Sequence, residues 1–516
     1  MSSKNTGIMW KTFLVIAFFC AAGNANDCVP RRFGFDGIVC VCNATYCDGL
    51  SKNQPEVPDE GNAFMYVSNK NGLRLQESLV QFNTCHISLF ESTLTVDTTK
   101  RYQTIAGFGG ALTDSAGLNI KKLSSAAQDQ LLRSYYDPKT GSGYNLARLP
   151  IGGSDFSTRP YTYDPYDNDT TLEHFNLAFE DHEYKIPFLQ KALKLNPNLK
   201  LFGAVWSPPP WMKTNNKVNG AGFLKKEYYQ LYAEYILKFL KKYKEFGIDI
   251  AAVSTGNEPG NGVVIVDPLS SMGWTPNTVA KWIANNLGPT LAASEHNRTQ
   301  ILVLDDQRIF LPWYVEEIAK NEEAMKYVAG IASHWYTDFI VPTSVLDQTH
   351  DKFPDKFLIM TEACLGTGEP LTPVVLGSWY RGEKYFLSIL EYMNHWYAGW
   401  VDWNMVLDKT GGPNWIKNNV DAPIIVNPES DEFFKQPMYY ALKHFSRFVG
   451  RGSVKVSVTD TLHIKSTAFV TPSNKVVVVL YNRSLLPKQV ILKDPKKGNL
   501  CFELSPLSMN TIKYQQ

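Results

Sequence analysis

Beyond its first 25 residues, the sequence contains no apolar run of the roughly 18 residues that a membrane-spanning helix needs, so no transmembrane span is expected. It also lacks an excess of either charge, with 51 lysines and arginines against 50 aspartates and glutamates in 516 residues. That balance excludes the strongly basic face by which proteins hold nucleic acid. Neither His-Glu-x-x-His nor Gly-x-Ser-x-Gly occurs, which removes the common zinc-protease and serine-hydrolase readings. The glycine-rich stretch at 107–110 is not followed by Gly-Lys-Ser/Thr, so it is not a phosphate loop. No internal repeat or low-complexity tract is present.

The N-terminus has the pattern of a secretion signal: Lys4 and Lys11, an apolar stretch over 12–22, then Gly23-Asn24-Ala25 as a small-x-small cleavage site. Residues 1–25 are therefore set apart from the fold, and their loss removes two lysines and no acid. The Lys-Tyr-Gln-Gln terminus is neither a retention signal nor a lipid-anchor tail. Of eight cysteines, Cys20 leaves with the signal, and Cys28, Cys40, Cys42 and Cys47 cluster. In an oxidising compartment such a cluster reads as two local disulfides, with three connectivities open. Zinc is the rival, but the spacing suits a tetrahedral site poorly. Cys85, Cys364 and Cys501 are expected to be buried thiols. Sequons at Asn43, Asn168, Asn297 and Asn482 fit a secretory route as glycosylation sites.

From about residue 100 to 450, short apolar runs alternate with longer amphipathic stretches, the pattern of repeated β-α units. Eight strand candidates lie at 103–110, 144–151, 200–206, 250–254, 300–305, 328–335, 357–362 and 400–406. Eight closes a (β/α)8 barrel. The helices between them are clearest over 225–246, where Tyr228, Tyr232, Tyr235, Ile236, Phe239 and Leu240 make one apolar face. Others are predicted near 115–136, 181–195, 276–294, 311–327, 376–397 and 433–449. The stretch between the sixth and seventh strands, including 342–355, reads as an irregular loop. After residue 452 the pattern changes to about six alternating strands, a β-sandwich that segments before the barrel would complete.

Sites on such barrels form where the strands end, so the polar residues closing each apolar run carry the weight. Asp155 follows the second run, Trp206 closes the third, and Asn257-Glu258 follow the fourth. Asp305-Asp306-Gln307 end the fifth, His334-Trp335-Tyr336 the sixth, Glu362 the seventh and Asp402-Trp403-Asn404 the eighth. Glu258 and Glu362 form the carboxyl pair that glycosidic cleavage requires, one to protonate the leaving oxygen and one to attack the sugar carbon. For an isolated Asn-Glu-Pro, a helix-capping turn would be the simpler reading. The position of both glutamates, at strand ends four and seven, favours catalysis.

At this point the chain resembles the glucosylceramidases, the lysosomal acid β-glucosidases of the large barrel clan of retaining glycosidases. The motifs are CVPRRFGFDGIVCVCNATYCD at 28–48, GFGGALTD, WSPPPWMKTN, NEP, LDDQR, HWY, EACLG, DWN, GGPNWIKN and KQPMYY, in the family's order and spacing after the signal. The resemblance implies a TIM barrel, an immunoglobulin-like β-sandwich built from both chain ends and a small disulfide-bearing N-terminal β-sheet. It divides the chain into a signal peptide at 1–25, the small sheet at 26–52 with 404–435, the sandwich at 53–99 with 453–516 and the barrel at 100–403 with 436–452. It makes Glu258 the acid/base and Glu362 the nucleophile, with Asp155, Trp206, Asn257 and Trp403 holding glucose and Tyr336 contacting the nucleophile. Gln307 and Asn418 join them by family position. Disulfides Cys28–Cys40 and Cys42–Cys47 are also implied. The substrate would be a glycosphingolipid, glucosylceramide, at a membrane surface, with a saposin-like activator and anionic lipid as partners and no metal or organic cofactor. The site of action would be lysosomal or extracellular.

Each assignment has a plainer rival. Asp155 would otherwise pair with Arg148 or Arg159, Trp206 and Trp403 would be core, and His334 reads as a structural hydrogen-bonding residue. Arg148, in an apolar strand, is expected to pair with a carboxylate, Glu362 foremost. Tyr336 is expected to keep the Glu362 pKa low. Cys364 reads as inert packing. The loops at 257–274 and 362–379 depart from the family on the aglycone side, and the exposed apolar segment 338–342 is a candidate lipid contact. Two alternatives accompany the reading: a glycosidase of the same clan with another glycone or aglycone, and a catalytically silent sugar- or lipid-binding trafficking protein.

Overall fold

The computed structural model describes residues 27–34, 37–50, 56–85, 92–265, 268–367 and 372–516. The expected signal peptide lies outside these residues, as do parts of the two departing loops. Eight parallel strands close a barrel in consecutive order: β1 Gly107–Ala111, β2 Leu146–Ile151, β3 Lys200–Val205, β4 Ile250–Ser254, β5 Gln300–Gln307, β6 Val328–His334, β7 Phe357–Glu362 and β8 Tyr397–Asn404. Gly399 opposite Gly107 and Asn404 opposite Ala111 bound the pairing of β8 with β1 that seals it. Gly107 itself has φ +145°, and a Cβ there would overlap the Asn145 side chain, so only glycine opens this strand.

The barrel interior is layered. Apolar side chains from β2 through β8, among them Leu146, Phe202, Leu302, Ile359 and Val401, fill it from below. Polar side chains sit above them at the strand ends, because a barrel this size is packed rather than hollow. Outside, the helix at Tyr229–Glu245 buries Tyr232, Tyr235, Phe239 and Leu240 and turns its lysines to water.

The chain ends make the remaining two sheets. Pro30–Phe33, Gly37–Asn43, Glu432–Lys435, Ile424–Asn427 and Val406–Asp408 form a five-stranded sheet in that order. It carries the disulfides Cys28–Cys40 and Cys42–Cys47. The β-sandwich joins Asn62–Asn69, Gln76–Gln81 and Ser92–Thr104 to six strands between Val454 and Gln515. Its sheet curls until the two outermost strands meet, with Phe82 bridging Leu500.

Three expectations need correction. Cys85 and Cys501 are not free thiols but a disulfide across that seam, a contact hidden by a separation of 416 residues. Cys364 is, as expected, a free and buried cysteine. The stretch before the seventh strand holds a helix, Ser344–Lys352, which buries Leu346 and Thr349 on its inner side. Asn482 is buried, and its amide nitrogen donates to the carbonyls of Leu486, Leu504 and Ser505, so the folded chain offers no nitrogen there for a glycan. Asn168 and Asn297 are exposed and Asn43 is half-buried.

Candidate active site

The turn after β4 carries Glu258 in a left-handed conformation, φ +44°, which a non-glycine residue adopts only where surroundings hold it. Its backbone N–H donates to Asp305 O at 2.9 Å, and the neighbouring Asn257 N–H donates to Val205 O at 2.8 Å. The Glu258 carboxyl accepts three hydrogen bonds: from Gln307 Nε2 at 2.7 Å, from His334 Nδ1 at 2.8 Å and from Asn261 Nδ2 at 2.7 Å. Asp306 braces the same turn by accepting the Gly260 N–H at 2.7 Å. Burial, then the neighbouring Glu258, push the Asp306 carboxyl up to about 7.

Glu362, the last residue of β7, accepts Tyr336 OH at 2.9 Å on one oxygen and the Arg148 guanidinium on the other. One oxygen of Glu258, one of Glu362 and a ring nitrogen of His334 all lie within 4.8 Å of one another. The two carboxyls therefore face each other across a single gap.

Beneath that gap lies a closed set of charges. Arg148, wholly buried, also donates to Asn257 Oδ1 at 2.6 Å and Asp305 Oδ2 at 3.0 Å. Asp305 in turn accepts Thr361 Oγ1 at 2.6 Å and faces His334 Nε2 at 3.1 Å. Leu304 and Asp305 both have positive φ, and the β5–β6 register slips between Leu304 and Asp306. The bulge lets two successive acids both turn away from solvent, which a regular strand would send to opposite faces.

The titration directions follow from this packing. Burial would strip the His334 proton, but Glu362, Asp305 and Glu258 hold the imidazolium up to about 10. Burial opposes the Asp305 charge, yet Arg148 and His334 keep that carboxyl well below the usual range. For Glu362, burial outweighs the His334 and Arg148 cations and Glu258 adds repulsion, so its carboxyl lies above the usual range. The expectation that Tyr336 keeps it low is thus overturned, because one phenolic donor does not offset full desolvation.

The other candidates gather around the pair. Trp206 and Trp403 stack with ring centroids 5.1 Å apart, and the Arg148 guanidinium lies over both rings. Asp155 is buried, with Asn418 Nδ2 at 3.4 Å, and burial with Glu362 and Glu258 nearby pushes it up to about 8. Below that pH it is a carboxylic acid able both to donate to and to accept from a hydroxyl. It does not pair with Arg148 or Arg159, since the latter holds Glu180 at 2.8 Å. Cys364 lies 3.2 Å from Tyr336 OH, and burial raises its thiol well above its ordinary value.

Asn261 and Thr361 join the site without a signal in the sequence, and Asp305, one of the residues closing the fifth run, joins it as a partner of Arg148 and His334. The two consecutive acids closing the fifth strand were the available signal for Asp305. Glu258, His334 and Glu362 also have the composition of a metal site. Their ligand atoms are, however, already partnered by Gln307, Asn261, Asp305, Tyr336 and Arg148, and the arginine beside the gap repels a cation.

Residues 105–449 match the family profile "Glycosyl hydrolase family 30 TIM-barrel domain", and residues 452–512 match the family's "beta sandwich domain". The chain is 41% identical to the lysosomal acid glucosylceramidase of Mus musculus over 498 residues, 95% of each chain. It is 40% identical to the putative glucosylceramidase 4 of Caenorhabditis elegans over 526 residues, 99% of each. Among solved structures it is similar to SrfJ from Salmonella typhimurium, with a TM-score of 0.81 and 29% identity over 88% of this chain and 100% of that one.

Proposed function

The chain belongs to glycosyl hydrolase family 30 and is a glycoside hydrolase, and on that premise we propose that it hydrolyses glucosylceramide to glucose and ceramide with retention at the anomeric carbon. The observation that carries the retaining mechanism is that one carboxyl oxygen of Glu258 and one of Glu362 lie no more than 4.8 Å apart. Retaining enzymes hold their carboxyls about 5–5.5 Å apart, whereas a gap of about 6.5–9.5 Å leaves room for the water of an inverting reaction.

In the first step Glu362 attacks the anomeric carbon and forms a glucosyl ester while Glu258 gives its proton to the departing ceramide oxygen. In the second, Glu258 takes a proton from water, which attacks the same carbon and releases Glu362. Arg148 and Tyr336 orient the nucleophile, one on each oxygen. His334, Gln307 and Asn261 fix the acid/base. Asp155, Asn257, Trp206 and Trp403 hold the glucose, with Asn418 bracing Asp155.

A lipid-borne substrate is supported by the loops on the same barrel face. Exposed apolar residues project from three consecutive ones: Val263, Val264 and Ile265 after β4, Ile309 and Trp313 after β5, and Phe339 and Ile340 after β6. Among the described residues no helix is long and apolar enough to cross a membrane, so the surface contact would be peripheral. Action in the secretory pathway, in the lysosome or outside the cell is the reading supported by the lysosomal relative and by the signal-like pattern of the N-terminal sequence.

The test is hydrolysis of glucosylceramide and of an aryl β-glucoside by wild type, Glu362→Gln and Glu258→Gln, with proton NMR of the first anomer released. Glu362→Gln should lose nearly all turnover on both, and Glu258→Gln should lose least on the aryl glucoside, whose leaving group needs no proton. An α-anomer as first product, or retained turnover in Glu362→Gln, ends this reading.

A further inference from the structure

The loop that carries Asp155 is anchored from behind by ionisable groups with no part in the chemistry proposed above. Helix α1, Asp114–Lys121, follows β1, and a π-turn at Asp181–Lys185 runs into helix α2, Ile186–Leu195. Lys185 is wholly buried, with Nζ 3.3 Å from Asp114 Oδ1 and 3.1 Å from Asp181 Oδ1. The same ammonium donates to the carbonyls of Pro150 and Gly152, at 3.2 and 3.3 Å, where β2 passes into the loop. On the far side of Asp155, Asp114 accepts Ser157 Oγ at 2.5 Å and Tyr161 OH at 2.9 Å. Ser115 donates its N–H and its hydroxyl to Phe156 O, at 3.0 and 2.8 Å. Both flanks of Asp155 are thereby tied to one Asp114–Lys185–Asp181 triad, and Tyr163 and Tyr243 complete the Asp181 end at 2.8 and 2.6 Å.

Two features argue that this triad sets a geometry. A buried ion triad contributes little net stability compared with apolar side chains of the same volume, so stability alone does not account for it. Its ammonium also spends two hydrogen bonds on the backbone that launches the Asp155 loop. The start of α1 reaches the opposite wall of the site as well, since its N-cap Thr113 donates to Asn404 Oδ1 at 2.7 Å, next to Trp403. One rigid wall element thus references both the carboxyl and the indole assigned to the sugar.

We propose that Lys185 and Asp114 are positioning residues for glycone recognition, holding the Asp155 carboxyl in register with one sugar hydroxyl. The proposal rests on the reading that Asp155 holds the glucose. A site built around a hydroxyl rejects the sugar lacking it by as much as ~10⁴-fold, but only while the partner carboxyl stays in place.

The experiment compares kcat/KM for an aryl β-glucoside with those for its monodeoxy analogues, in wild type, Asp155→Asn, Ser157→Ala, Asp114→Asn and Lys185→Met, with folding checked by circular dichroism. Asp155→Asn should flatten the penalty at one hydroxyl. Ser157→Ala and Asp114→Asn should flatten it at the same hydroxyl by about tenfold or more, leaving the other penalties as they were. If Lys185→Met does not fold, Ser157→Ala, which removes one hydroxyl and no charge, decides. Wild-type ratios in folded Ser157→Ala and Asp114→Asn, or an equal loss at every hydroxyl, overturn the positioning role while Asp155 keeps its own. Unchanged ratios in Asp155→Asn overturn the reading of Asp155 and the proposal with it.

Discussion

His334 is clasped between two carboxyl groups, its Nδ1 2.8 Å from Glu258 and its Nε2 3.1 Å from Asp305. A ring held this way donates from both nitrogens only as an imidazolium. It therefore belongs to the fixed charge of the site, alternating in sign through Asp305, Arg148 and Glu362, and does not shuttle the catalytic proton.

That arrangement predicts a stability signature. The folded pKa of His334 is raised to about 10, from an ordinary value of about 6.5. Its contribution is therefore complete below about pH 6.5 and drains away as pH rises towards 10. Thermal unfolding followed from pH 5 to 10 should show wild type losing stability across this window and His334→Gln losing less. Parallel curves for the two proteins would remove the imidazolium assignment.

Glu362 gives the pH dependence of activity. Burial already raises its carboxyl above the usual range, and Tyr336 is the neutral donor that partly restrains it at 2.9 Å. Taking that donor away in Tyr336→Phe raises it further. The acid limb of kcat/KM should move to higher pH, by about half to one unit for a hydrogen bond of roughly 1 kcal/mol. A limb that stays put or moves to lower pH contradicts this account.

The barrel and the acidic pair were legible in the sequence because each strand is short, apolar and closed by a polar residue, and both glutamates sit at such closures. The run ending at Glu362 was read to the residue. The ends of β1 and β8 were not, because residues 103–104 continue the strand Ser92–Thr104 of the sandwich while β8 begins at Tyr397. Arg148 could be foreseen as a paired cation, since a lone charge in an apolar strand demands a partner. Asp305 could be placed at a strand end but its inward turn could not, because that depends on a bulge with positive φ at Leu304 and itself. Nor could a nine-residue helix at Ser344–Lys352 that buries only two residues. The Cys85–Cys501 link was invisible for another reason: neither sequence neighbourhood carries a trace of the other.

Cys364 provides a control on the chemistry. Its buried thiol touches Tyr336 and has burial holding its proton in place. Cys364→Ala should keep kcat within a few-fold of wild type, and iodoacetamide at neutral pH should leave the folded enzyme active. Rapid inactivation through Cys364 would require a thiolate that this environment disfavours.

The apolar loops separate surface binding from bond cleavage. Phe339 is 85% and Ile340 60% exposed, so replacing both with serine removes little from the core. The double variant should hydrolyse a soluble aryl glucoside as wild type does, yet bind vesicles and turn over glucosylceramide in them more weakly. Undiminished activity on vesicles would count against this surface as the lipid contact.

The bond between Cys85 and Cys501 has a topological consequence. It converts 417 consecutive residues into one covalent ring, and the entire catalytic barrel is threaded on that ring. A protease that nicks any barrel loop leaves a single molecule until the bond is reduced. The same architecture imposes an order on biosynthesis: strand Asn62–Asn69 pairs with Ser508–Gln515, so an early-made segment waits, one edge exposed, until its far-downstream partner has been synthesised.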